Sequence, residues 1–87
     1  MSDNIKALVM EAMVPRMKQL EIREKEINGS FDLVRTGFVN SMEFVELLAG
    51  MEKMLNVEID YEKALEDEEF TSVDGIIRAF NQIIDEH

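Results

Sequence analysis

Apolar residues return every three to four positions in three separate stretches of the chain, the spacing that gathers them on one face of an α-helix. In the first stretch Ile5, Leu8, Val9, Ala12 and Met13 share a face, and Ser2 or Asp3 can cap its start. Pro15 removes an interior hydrogen bond, so the pattern predicts a helix to about Val14 that resumes through Leu20. The clearest helix runs over 41–55, where Phe44, Leu47, Leu48, Met51 and Leu55 form one stripe. Met42, Glu43, Glu46, Ala49, Gly50 and Lys53 lie off that stripe. Asn40 or Ser41 suits its start and Asn56 its end. The last helix begins at Thr71-Ser72, with Asp74 placed for a variant capping box. Its apolar face is Val73, Ile76, Ile77, Phe80, Ile83 and Ile84, and Gly75 inside it marks a close packing contact.

Between these helices the periodicity is lost. Residues 21–40, EIREKEINGSFDLVRTGFVN, alternate in charge, turn at Asn28-Gly29-Ser30, and then carry apolar residues without a clear period. They read as one long loop anchored by Phe31, Leu33 and Phe38, and loops this long are often functional. Further on, Val57 and Ile59 alternate with acids, and residues 61–65 form a short helical turn with Ala64 and Leu65 facing inward. The expected architecture is an all-α, small four-helix bundle: three main helices, one short helix and a long first loop, in a single domain over 1–87.

Composition narrows the function. Hydrophobic residues are 46% of the chain, enough for one core, and seven Met against five Phe and one Tyr make that core deformable. There is no Cys, hence no disulfide or thiolate metal site. Nothing resembles a leader, since the stretch from Ile5 to Val14 is short and already broken by Lys6 and Glu11, and no apolar run approaches the roughly 20 residues of a membrane span. The chain reads as cytoplasmic. Net charge is −10, and residues 41–69 hold ten carboxylates against two lysines. Such a surface repels nucleic acid and favours basic protein partners.

Catalytic chemistry is scarce. The one histidine is the terminal His87, and without Cys the usual nucleophile–base pairs are missing. No carboxylate sits in an apolar stretch that would perturb it, so an enzyme is not expected. The acids of IDYEKALEDEEF lack the alternating pattern and glycine of a calcium loop, so no metal site is expected.

Ser41 is the residue that stands out. Asn-Ser ahead of an amphipathic helix is what helix capping alone would produce. The wider pattern, however, is Gly37, two residues, Asn40-Ser41-Met42, then an acidic helix, VELLAGMEKMLNVEI, and later EDEEFTSVDGIIRAF. Over roughly residues 5–84 this resembles the acyl, peptidyl and D-alanyl carrier proteins, whose motif is Gly-x-x-Asp-Ser-Leu or Met. The resemblance implies that Ser41 receives 4′-phosphopantetheine from coenzyme A, with Gly37 and Asn40 shaping the attachment loop. It implies that Met42, Glu43, Glu46 and Glu52 dock partner enzymes. Phe44, Leu48, Met51, Ile59, Ile77 and Phe80 become candidates to line an acyl pocket, although core packing alone also accounts for each.

The implied partners are a phosphopantetheinyl transferase, an acyl- or aminoacyl-loading ligase, and downstream synthases with basic docking surfaces. With Met1 at its start the chain reads as free-standing, and a monomer is expected. FTSVDGI is closer to peptidyl and D-alanyl carriers than to housekeeping fatty-acid carriers. The pathway implied is a specialised fatty-acid, polyketide or nonribosomal-peptide-type one. Asn40 departs from the motif's Asp, losing the charge that helps engage the transferase and its metal ion. That departure keeps a second reading open: an acidic interaction module that retains the carrier fold and is never loaded.

Overall fold

The computed structural model describes residues 2–86, and the backbone alone for Ser2, Asp3, Asp85 and Glu86. His87 and the side chains of Ser2 and Asp3, named above as a terminal histidine and as caps, lie outside that description. The described residues form four α-helices: α1 (Ser2–Leu20), α2 (Ser41–Leu55), α3 (Tyr61–Ala64) and α4 (Val73–Glu86). This is the expected helical bundle, with α1 packed mainly on α4 and more thinly on α2.

The first helix corrects the sequence expectation. It runs unbroken through Pro15 to Leu20. Met13 and Met17, on either side of the proline, are both buried, while Pro15 and Glu11 lie on the exposed side. The carbonyl that the proline leaves without its amide therefore faces solvent, and burial of the two methionines carries the helix across. It ends at Glu21 in the left-handed conformation (φ 56°), with the Ile22 amide donating back to the Met17 carbonyl at 2.9 Å.

The long loop has more structure than its sequence announces. Residues Glu24–Glu26 form a 3-10 turn. Beyond it the loop lies against the start of α4: the Leu33 amide donates to Thr71 O (2.8 Å), and the Val73 and Asp74 amides donate to Phe31 O and Gly29 O. Asp32 fastens the join, accepting from the Thr71 hydroxyl at 2.7 Å and from the Val34 and Arg35 amides. Burial pushes the Asp32 carboxyl up, but these hydrogen bonds outweigh it and hold the group below the usual carboxylate range. Leu33 and Phe38 are buried as anchors, and Phe31 packs edge-on to Phe38 at 5.5 Å.

This fastening also overturns the cap expected for the last helix. The Thr71 hydroxyl is taken by Asp32, so Ser72 caps instead: its Oγ accepts from the Gly75 amide at 3.0 Å. The Asp74 box does not form. Gly75 is the close contact foreseen, since a Cβ there would run into the Glu69 carbonyl. Leu65 corrects another expectation. It is 69% exposed, because it caps a helix only one turn long and lies past the partly buried Ala64.

Candidate functional site around Ser41

The site is built where the loop becomes α2. Gly37 has φ +80°, a conformation that a side chain disfavours, and a Cβ there would meet nothing within 4 Å. Its requirement is therefore the turn rather than space. Phe38 and Val39 then drop into the core, and the Val39 amide donates to Leu33 O at 2.9 Å. The chain arrives at Asn40 extended and pinned.

Asn40, not Ser41, is the cap. Its Oδ1 accepts from the Glu43 amide at 2.8 Å, and Glu43 Oε1 accepts from the Asn40 amide at 2.9 Å. This reciprocal box leaves Ser41 as the first helical residue, exposed, with no hydrogen-bond partner for its hydroxyl among the described residues. The Ser41 and Met42 amides are donors the box does not use, and they point out of the positive end of the helix. A phosphate ester on Ser41 Oγ fits here, with donors beside it and Glu43, the next acid along the chain, already bound to a cation. That cation is Arg16 of α1, which meets Glu43 Oε2.

The acids expected to dock partners separate into two kinds. Glu43 is divided between the Asn40 amide and Arg16. Glu52 accepts from the Ile59 amide (2.9 Å) and the Tyr61 hydroxyl (3.0 Å), tying α2 to the entry of α3. Burial first, then the bond to Glu52, pushes the Tyr61 hydroxyl up to about 12. Glu46 has no ion-pair partner among the described residues and stands exposed. Met42 is 73% exposed and Val45 half-exposed. The outward face of α2 near Ser41 is thus apolar and acidic together.

Of the six residues named for an acyl pocket, Phe44, Leu48, Met51, Ile59 and Phe80 are buried and Ile77 is partly buried. Phe44 packs edge-on to Phe70 at 5.5 Å. Ile59 borders a cavity of about 250 Å³ between α3 and α4, with Ala64, Ala79 and Ile83. Met51 borders a different space, between α1 and α2. The six pack in one core but are not gathered around one common cavity.

Arg16, Tyr61 and the Asp32–Thr71 join were not legible beforehand, since each partner lies at least nine residues away. Among the described residues, no group of three or more His, Cys, Asp or Glu is placed to hold a metal ion. No described helix is long and apolar enough to cross a membrane. No family model, no curated protein and no solved structure matches the chain.

Proposed function

We propose that this protein is a cytoplasmic carrier that holds acyl or aminoacyl intermediates on a 4′-phosphopantetheine arm attached to Ser41. The observation that carries the reading is the division of labour at the start of α2. Asn40 does the capping, and the Ser41 hydroxyl is left exposed and unbonded. Capping alone gives no reason for a serine there. The helix order adds support: a long ordered loop, a glycine turn, the serine opening an acidic helix, then one short helix.

In this reading Ser41 Oγ attacks the pantetheine-side phosphorus of coenzyme A. The new P–O bond forms as the anhydride P–O bond breaks, and the adenosine half leaves. The transferase takes the hydroxyl proton and supplies the metal ion. The chain's own part is to hold the hydroxyl outward and offer the Ser41 and Met42 amides to the phosphate. The arm supplies the thiol that this cysteine-free chain lacks, on which cargo rides as a thioester.

Met42 and Glu46 are the open groups for docking a transferase, loading ligase or synthase through a basic surface. Met42 gives an adaptable apolar contact, and Glu46 steers the encounter. Glu43 and Glu52 act by holding the shape of that face. Incubating the protein with coenzyme A, magnesium and a broad-specificity transferase should add one phosphopantetheine to the wild type and none to Ser41→Ala.

One residue favours a second reading. Asn40 keeps the cap but not the charge of the motif's Asp. If neither the wild type nor Asn40→Asp is loaded, the protein is an acidic interaction module on a carrier-like fold.

A further inference from the structure

We propose that the groove between α1 and α2 docks a basic amphipathic helix of a partner protein. The groove, about 240 Å³, is floored by Leu8, Ala12, Leu47, Met51 and Met54 around Gly50, with Glu11 and Glu46 beside it. It is open because α1 packs chiefly on α4 and only thinly on α2. Met54 stands 66% exposed at its far end.

Gly50 is the observation that points to an occupant. A glycine inside a helix costs roughly 1 kcal/mol relative to alanine. Gly75 has a packing reason within the fold, but Gly50 has none: a Cβ there would meet nothing within 4 Å. A bare backbone on the floor of an apolar groove lets another helix approach closely. From Leu47 to Met54 the groove runs about 10 Å, two turns of a docked helix with anchors at i, i+3 or i+4, and i+7.

Charge selects the partner. Neither Glu11 nor Glu46 has an ion-pair partner among the described residues. Both flank apolar floor, so the complement is an apolar stripe edged by Lys or Arg. A second copy of this chain, at −10, would bring acid against acid. An arm on Ser41 is not the natural occupant either. Nine residues, about two and a half turns, put Gly50 on the side of α2 opposite Ser41. The groove meets the Met42 face at Glu46, which borders both, but its floor around Gly50 lies away from Ser41 and does not depend on loading.

The test uses the full, unloaded chain and a synthetic Leu/Lys amphipathic helix of about four turns, with a Leu/Glu peptide of the same pattern as control. Binding is followed by fluorescence anisotropy and by methyl shifts in NMR. The Leu/Lys peptide should bind saturably and shift Leu8, Leu47, Met51 and Met54, while the Leu/Glu peptide does not bind. Gly50→Leu, which favours the helix but fills the floor, should weaken binding about tenfold or more with the fold retained. Glu11→Gln with Glu46→Gln should weaken it and flatten its salt dependence. Ser41→Ala should bind as the wild type does, which keeps this result apart from the carrier reading. Shifts centred on Met42 and Val45, undiminished binding by a folded Gly50→Leu, or the same shifts from self-association alone would each overturn the proposal.

Discussion

Arg16 of α1 is ion-paired to Glu43 of α2, and the other oxygen of that carboxylate accepts from the Asn40 amide. One side chain thus connects the first helix to the residue that caps the second. The arrangement fixes the direction in which α2 leaves the loop, and with it the direction of Ser41. Both partners are about one-third exposed, so the pair itself contributes little, on the order of 0–1 kcal/mol. Its role is geometric. Glu43→Ala removes the pair and half of the box and should cost about 1–2 kcal/mol in urea unfolding, more than Arg16→Gln.

The serine and its neighbour should behave oppositely. Asn40→Ala should lose about 1 kcal/mol, since the cap is there. Ser41→Ala should stay within about 0.5 kcal/mol of wild type, as expected of an exposed position with no partner. Thermal melts of the two variants check this. A large loss for Ser41→Ala would mean that its hydroxyl has a structural duty.

The two helical glycines should also diverge. Gly75→Ala drives a methyl into the Glu69 carbonyl and should destabilise by about 1–3 kcal/mol. Gly50→Ala meets nothing and should stabilise by roughly 1 kcal/mol. Denaturant midpoints of both variants measure the contrast.

Tyr61 and Asp32 contribute pH dependence to the stability at the two extremes. The Tyr61 pKa rises from 10.0 to about 12 on folding, so its contribution is present below pH 10 and lost as pH passes 12. Absorbance titration should show a phenolate forming near pH 12, and earlier in Glu52→Gln. Asp32 is lowered from 3.8, so its contribution is present above that value and lost as pH falls below it. Asp32→Ala should remove its share of this acid sensitivity and loosen the loop, seen as faster amide exchange at Leu33.

The elements that were legible in the sequence share a property. The helices α2 and α4 separate apolar from polar residues cleanly, so Phe44, Leu48 and Met51, and likewise Ile76 and Phe80, read directly as core. Gly37 and Asn56 carry local signals of positive φ, and both adopt it. What stayed hidden depends on distant partners. The Asp32–Thr71 bond spans 39 residues and moves the cap of α4 from Thr71 to Ser72. The Arg16–Glu43 pair spans 27 and binds an acid that had looked free. Pro15 misled because its effect depends on which side faces solvent.

A carrier of this kind bears its arm on Ser41 Oγ. Intact-protein mass spectrometry after incubation with coenzyme A, magnesium and transferase, followed by fragmentation of the loaded chain, locates the attachment. A single phosphopantetheine located on Ser41 is the result expected. A chain that keeps its unloaded mass with several transferases, or that carries the group on Ser30 or Ser72, would contradict it.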